Sequence, residues 1–140
     1  MRIASNRSKL GQPEINLGII PGAGGTQRLS RLVGYGKTME LVLSGEMISA
    51  EEGLQIGLLN SICEPDEVME HGISLARKIG GKSPLTLREA KKAVRASLEL
   101  PLSEGINFEA EIFASLFDTE DKEIGVSAFL DRSNPEWVGR

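Results

Sequence analysis

The sequence changes character along its length, and this change most constrains how the chain can fold. Glycine is dense up to Leu59, where it separates short segments that need tight turns or close backbone approach. From Asp66 onward, amphipathic stretches follow one another with helix start and stop signals. We therefore expect an α/β chain that is mainly α, with a site-bearing part over residues 1–64 and a helical part over residues 65–140.

Local signals place the individual elements. Short, partly polar strands are predicted at residues 2–5 and 9–10, and another at residues 58–63. Ser49 and Glu52 match a capping box, in which each side chain satisfies the other's backbone N–H, so a short helix should run to Gly57. The other predicted helices cover residues 26–33, 37–43, 68–79 and 102–117. Ser83 is expected to cap a further helix that begins at Pro84, and Thr119 to cap a last one whose acidic first turn, Glu120 and Asp121, suits the helix dipole.

Composition excludes several classes of protein. The 140 residues carry a formal net charge of −4 and are 40% hydrophobic, which is typical of a globular domain. No apolar run approaches the roughly 20 residues that cross a bilayer, and no signal peptide is visible, so a cytoplasmic location is expected. The single Cys63 and the single His71 leave no partners for a disulfide or a metal site. The acidic balance and the few aromatic residues argue against nucleic-acid binding.

A glycine-rich loop that opens a helix, Pro21 to Arg28, is the strongest local feature. It is not a dinucleotide fingerprint, because Gln27 occupies the third glycine position. The downstream Gly36-Lys37-Thr38 is not a phosphate loop, because Arg31 stands where the first glycine is required. The segment predicts either a helix N-terminus that faces a ligand's polar group or acyl chain, or a plain tight turn. In the first case Pro21 and Gly22 are the candidate substrate-pocket residues.

Glu14 is the best single catalytic candidate. It follows Pro13 and lies between two glycines at the expected end of a strand, where stiff backbone can hold a carboxylate toward a cleft. Apolar neighbours would supply a wall that suits a proton donor, namely Ile15, Leu17, Ile19 and Ile20. The alternative is a solvated surface glutamate, and spacing alone does not decide between the two.

Several motifs together resemble one family in their order and spacing. They are Gly11 to Ile15, Leu17 to Leu29, Leu43 to Gly45, Ile48 to Ala50, and the shorter matches at residues 57–59, 128–130 and 135–137. Over essentially its whole length the chain resembles the C-terminal half of the enoyl-CoA hydratase/isomerase (crotonase) family. The resemblance implies the end of a crotonase-type ββα spiral core over residues 1–64, followed by a helical trimerisation domain over residues 65–140.

The resemblance also implies a reaction, the reversible hydration of a trans-2-enoyl-CoA to a 3-hydroxyacyl-CoA in fatty-acid β-oxidation. No metal or redox cofactor takes part, and coenzyme A belongs to the substrate. Glu14 matches the second of the family's two glutamates, which exchanges a proton with the carbon next to the carbonyl. The first glutamate and the oxyanion-hole segments belong to the half of the family that precedes Met1. We therefore expect a piece of a longer hydratase, or of a fusion to a 3-hydroxyacyl-CoA dehydrogenase, with negligible activity on its own.

The last helix carries the remaining site candidates. The resemblance places Phe129 and Arg132 where family members reach coenzyme A bound to a neighbouring subunit, although Ser133 and Asn134 stand where more basic residues often occur. The alternative is a core phenylalanine and a solvated arginine. The wide apolar arc of the helix at residues 102–117 predicts self-association, which in this family gives a trimer or hexamer.

Two other functions stay open from the sequence. One is another acyl-CoA enzyme of the same family, such as an enoyl-CoA isomerase. The other is a non-catalytic module that only oligomerises or binds a partner, since Glu14 without an oxyanion hole offers little more than a proton. The basic residues of the second half are followed by an acidic run and are interpreted as solvated helix faces. They are Arg77, Lys78, Lys82, Arg88, Lys91, Lys92 and Arg95.

Overall fold

The computed structural model describes all 140 residues and is dominated by helices. The strands are β1 Ile3–Ser5, β2 Lys9–Gly11, β3 Met47–Ser49 and β4 Ser61–Cys63, and a 3₁₀ helix covers Pro13–Leu17. The helices are α1 Gly25–Val33, α2 Tyr35–Ser44, α3 Ala50–Gln55, α4 Val68–Gly80, α5 Pro84–Ala96, α6 Leu102–Ser115 and α7 Glu120–Leu130.

Contacts divide the chain into two units, Met1–Leu75 and Ala76–Arg140. In the first unit β1 pairs in parallel with β4, and β2 pairs antiparallel with β3 so that Leu10 lies opposite Ile48. A parallel pair needs a long crossover connection, which the intervening helices α1 to α3 provide. The domain boundary between residues 64 and 65 stays a prediction.

The core of the first unit is small and apolar. Leu29 of α1, Leu41 of α2 and Ile48 of β3 are buried together, and Leu10 and Val33 pack against them. Each fully buried side chain of this size contributes about 1.5–3 kcal/mol relative to an exposed one. Burial of one face of α1, α2 and β3 therefore fixes the end of β2, from which the 3₁₀ helix follows.

The structure corrects several details of the sequence-based assignment, and helix α3 ends at Gln55 instead of running to Gly57. The strand expected at residues 58–63 begins only at Ser61, because the Leu59 N–H donates to the Gly53 carbonyl at 2.9 Å instead of entering the sheet. Only half of the capping box forms: Ser49 Oγ accepts from the Glu52 N–H at 3.2 Å, whereas the Glu52 carboxylate lies 2.7 Å from Lys37 Nζ. The ion pair with a neighbouring helix takes the carboxylate away from the cap.

The second unit contains the helices α5 to α7, of which α5 and α7 begin at predicted capping residues. Ser83 Oγ accepts from the Thr86 N–H and caps α5, and Thr119 Oγ1 accepts from the Lys122 N–H and caps α7. Helix α6 ends at Ser115, two residues earlier than expected. No helix of the chain is both long and apolar enough to span a membrane.

Candidate functional site

The 3₁₀ helix Pro13–Leu17 holds the candidate acid Glu14 immediately after β2. Pro13 occupies the first turn, where its fixed φ suits the helix and its missing N–H costs nothing. The helix ends at Gly18 with φ 72°, and the Gly18 N–H donates to the Ile15 carbonyl at 3.1 Å. The Asn16 amide lies 3.4 Å from the Gly45 carbonyl at the end of α2. Glu14 is thus held by backbone that is fixed on both sides, as the sequence predicted.

The Glu14 carboxylate is the least satisfied polar group of this segment. The residue is half-buried, and its Oε2 atom is buried without any hydrogen-bond partner. A buried oxygen without a partner costs free energy, and such atoms in native structures call for an explanation such as a catalytic or ligand-binding role. The solvated surface glutamate considered from the sequence does not describe this atom.

The glycine-rich loop packs against the residues next to Glu14. Gly24, with φ 81°, is the N-cap of α1, and no side chain bonds the first N–H groups of that helix. A Cβ at Gly25 would lie 2.8 Å from both Gln12 Cδ and Pro21 Cβ, so only glycine permits this close approach. Pro21 is buried and Gly22 is exposed. The loop and the residues that precede Glu14 therefore form one continuous surface.

Most of the apolar side chains that were expected to surround Glu14 are exposed in this chain. Leu17, Ile19 and Ile20 are 78, 57 and 67% exposed. A cavity of about 200 Å³ lies beneath the neighbouring strands, lined by Arg2, Leu10, Gly11, Gln12, Leu29, Leu41, Ile48, Leu58 and Leu59. It reaches Gln12 and stops short of Glu14, so the acid lies beside an exposed apolar surface instead of in an enclosed pocket.

Phe129 and Arg132 lie at the C-terminal end of α7. Phe129 is 83% exposed, so the alternative of a core phenylalanine is wrong. Arg132 follows the helix with φ 53°, and the Ser133 N–H donates back to the Ala128 carbonyl at 2.9 Å. This is a helix-ending motif whose left-handed position usually holds glycine. Both side chains are exposed.

The single histidine, the single cysteine and the basic residues of the second half each have a simple environment. His71 is exposed on α4, and its ring lies 3.4 Å from Ser61 Oγ. Burial, and then the carboxylates of Glu67, Glu64 and Asp66, raise the pKa of the Cys63 thiol, which keeps it protonated and unreactive. All seven basic residues listed above are exposed, and all but Lys82, which lies between α4 and α5, are on helices. No three His, Cys, Asp or Glu residues are grouped so that they could hold a metal ion.

One cluster in the second unit was missed from the sequence. The Asp121 carboxylate, 1% exposed, accepts hydrogen bonds from Ser83 and from the backbone of Val138 and Gly139. The sequence indicates Asp121 only as a helix-dipole residue and Ser83 only as a cap. The available signal was weak: a serine cap and an acidic first turn give no indication that the two side chains meet.

Comparison with known proteins assigns the chain to a class. A family model described as enoyl-CoA hydratase/isomerase matches residues 1–140. The chain therefore belongs to the enoyl-CoA hydratase/isomerase family, and the predicted resemblance is confirmed.

Individual relatives agree with this class. The chain is 46% identical over 138 residues to a protein named probable enoyl-CoA hydratase from Rhizobium meliloti (strain 1021), covering 99% of this chain and 54% of the relative. It is 44% identical over 138 residues to 2,3-dehydroadipyl-CoA hydratase from Escherichia coli (strain K12), covering 99% and 54%. The crystal structure of an enoyl-CoA hydratase from Bacillus anthracis superimposes with a TM-score of 0.97 at 36% identity, covering 100% of this chain and 54% of that one.

The alignments also show how much of each relative the chain covers. The chain spans about half the length of these relatives. The predicted fold class, an α/β but mainly helical half of the crotonase fold, is confirmed by the structural match. The roles of Glu14, Pro21, Gly22, Phe129 and Arg132 stay predictions.

Proposed function

We propose that this chain carries the proton-transferring part of an enoyl-CoA hydratase, with Glu14 as its acid. One observation carries the proposal: Glu14 Oε2 is buried without a hydrogen-bond partner on a segment held rigid at both ends. The names of the relatives support an enoyl-CoA thioester as substrate. Pro21 and Gly22, in the loop that packs beside Gln12, are the proposed substrate-pocket residues.

In the proposed reaction, water adds across the double bond of a trans-2-enoyl-CoA. The water oxygen bonds to C3, the π electrons move toward C2 and the thioester carbonyl, and C2 takes a proton from the Glu14 carboxyl. The proton that the water loses returns the acid to its starting state. A rigid acid next to an apolar surface suits this transfer, because general acid catalysis needs the donor within hydrogen-bond reach of the carbon it protonates. The chemistry needs neither a metal nor a redox cofactor.

The largest contribution to catalysis in such a reaction is stabilisation of the enolate-like oxygen by fixed N–H donors. In the family resemblance these donors, and the first of the two glutamates, lie outside the residues that this chain matches. We therefore propose that the 140-residue chain alone has negligible hydratase activity.

The proposed partners are an acyl-CoA thioester and further copies of the chain. On α6 and just beyond it, Leu102, Ile106, Phe113 and Phe117 are 80, 55, 64 and 50% exposed, which is unusual for large apolar side chains unless another surface covers them. A trimer or hexamer in the cytoplasm is the proposed assembly, and sedimentation equilibrium measures its mass. A strictly monomeric chain at high concentration would refute this part of the proposal.

Replacement of Glu14 by Gln tests the proposed hydratase function. The substitution is made in the native gene product. Loss of the conjugated enoyl absorbance of crotonyl-CoA measures the hydration rate. We expect Glu14→Gln to lower kcat by about 100-fold or more, because general acid catalysis contributes about 10²–10⁴-fold. Glu46→Gln is the matched control, because the Glu46 side chain is exposed and has no ion pair or hydrogen bond, and it should leave the rate unchanged.

The same assay separates the alternatives. A 3-enoyl-CoA that is converted to the conjugated isomer, with no hydration of crotonyl-CoA, would identify an isomerase of the same family. Absence of both activities in the native gene product would favour the non-catalytic oligomerising module. Equal rates for wild type and Glu14→Gln would remove Glu14 from the reaction.

A further inference from the structure

The segment after α7 is fastened to the rest of its unit by a buried cluster that no proposed step uses. Asp121 Oδ1 accepts from the Val138 N–H at 2.7 Å and from the Gly139 N–H at 3.0 Å, while its Oδ2 accepts from Ser83 Oγ at 2.5 Å. The Asp121 N–H in turn donates to the Arg140 carbonyl at 3.1 Å. We call Ser83, Asp121 and residues 137–140 the clasp.

The clasp favours an ionised Asp121. Burial by itself would raise the pKa of this carboxyl, but the bonds from Ser83, Val138 and Gly139 outweigh it, so the pKa lies below its ordinary value. Ser83 Oγ is fully used, because it donates to Asp121 and accepts from the Thr86 N–H. The side-chain oxygens of Asp121 and Ser83 thus all have partners, which is the condition under which buried polar networks hold a single geometry.

Trp137 adds a second attachment. Its indole N–H donates to the Gly81 carbonyl at 3.0 Å. Its ring lies against the middle of α7, since a Cβ at Gly125 would be 3.1 Å from the ring. Gly125 and Phe129 are one helical turn apart, so they share a face of α7. The segment after α7, residues 131–140, which we call the tail, therefore runs back along the helix that carries Phe129.

The residues between these attachments carry Arg132. At one end, the Ser133 N–H donates to Ala128 and closes α7. At the other end, Trp137 and the clasp hold the chain. Arg132 itself has φ 53°, a conformation that costs an L-residue about 1–2 kcal/mol and persists where its surroundings impose it. Residues 131–136 are thus a short loop held at both ends.

We propose that the clasp and Trp137 position this loop, so that Asp121 controls how well Arg132 contacts the phosphate-bearing part of the acyl-CoA without touching it. Asp121 is in this sense a positioning residue, and the proposal rests on the function proposed above. Its closing experiment has two readouts, one of which does not depend on catalysis.

The first readout is the fluorescence of Trp137, the only tryptophan of the chain. Asp121→Ala should shift its emission to longer wavelength and increase quenching by acrylamide, because the tail loses its buried anchor. Glu120→Gln is the matched control: it lies in the same helical turn and removes only the exposed ion pair with Arg140. It should leave the spectrum unchanged. An unchanged spectrum in Asp121→Ala would overturn the clasp.

The second readout compares two thioesters in the gene product as the cell makes it. For crotonyl-CoA, Asp121→Ala should raise KM by about tenfold, as expected for loss of one charged contact, with kcat within about twofold. For crotonyl-pantetheine, which lacks the nucleotide phosphates, KM should not change. Equal increases for both thioesters would mean a general structural defect and would overturn the positioning role.

Two further experiments cover the cases in which the Asp121→Ala variant does not fold or the wild type is inactive. If Asp121→Ala does not fold, Asp121→Asn replaces it in both readouts, since the amide oxygen still accepts two backbone bonds, and Trp137→Phe, which loses the indole N–H bond to Gly81, replaces it in the second. If the wild type hydrates neither thioester, the proposed function fails, and calorimetric binding of coenzyme A then tests positioning by itself. Weaker coenzyme A binding in the clasp variants supports it, and an absence of binding in the wild type refutes it.

Discussion

Replacing Glu14 by Met should make the chain more stable while it removes the proposed activity. Most substitutions at half-buried positions destabilise. Glu14 is different because its Oε2 atom is buried without a partner and no other group in the structure bonds its side chain. Methionine has nearly the same length and a similar preference for helical backbone. The substitution therefore removes an unsatisfied oxygen without leaving a large hole.

The magnitude follows from the state of the two carboxylate oxygens. A buried unsatisfied polar group costs about 1–3 kcal/mol. Only Oε2 is both buried and unpartnered, so the gain lies at the lower end of that range, about 1 kcal/mol in the free energy of unfolding. A gain of this kind is typical of catalytic positions, where stability is lost in favour of activity.

Urea denaturation monitored by circular dichroism measures this gain. Glu46→Met is the control, because its exposed carboxylate has no such cost and its effect should stay within about 0.5 kcal/mol. If Glu14→Met instead lowers the free energy of unfolding, the carboxylate makes a stabilising contact, and its interpretation as an unsatisfied catalytic group is refuted.

Three other perturbations test separate parts of the structure. Leu41→Ala should cost about 3–4 kcal/mol in urea denaturation, from lost transfer energy and an enlarged cavity, whereas Leu43→Ala on the same helix, 59% exposed, should cost under about 1 kcal/mol. Arg132→Gly should stabilise by about 0.5–1 kcal/mol in the same assay by relieving the left-handed backbone. Because the pKa of Asp121 is lowered by folding, its contribution is complete above the ordinary aspartate value of about 3.9 and is lost as pH falls through the lower folded value. A pH titration of Trp137 emission should therefore show the tail detaching only in acid, and a transition near neutral pH would contradict this.

Local signals predicted most of the elements because they act within a few residues. Ser83 and Thr119 cap the helices expected of them, and Gly45 ends α2 in the left-handed conformation. The errors come from distant partners. Glu52 leaves its cap for Lys37, fifteen residues earlier in the chain, where Glu40 and Glu52 raise the pKa of the lysine. Such a competition between an ion pair and a cap is invisible to a pattern that spans four residues.

For the candidate site, the sequence predicted the position of the acid but not its surroundings. The position of Glu14 followed from Pro13 and its flanking glycines, which fix backbone locally. Its environment did not, because Leu17 and Ile19 were expected to surround it and are exposed instead. Alternating apolar residues show that a surface is apolar, but they do not show what covers it.

Asp121 in the second unit and Glu14 in the first differ in whether their carboxylate oxygens have hydrogen-bond partners. This difference distinguishes a residue that fixes the structure from one that is available to a ligand. In the second unit, Asp121 is nearly inaccessible and all of its oxygens are bonded. In the first, the Glu14 carboxylate has a buried oxygen with no bond. A fully bonded carboxylate fixes geometry, whereas an oxygen without a hydrogen-bond partner stays available to a ligand. Asp121 is therefore suited to holding a loop in place, and Glu14 is suited to exchanging a proton.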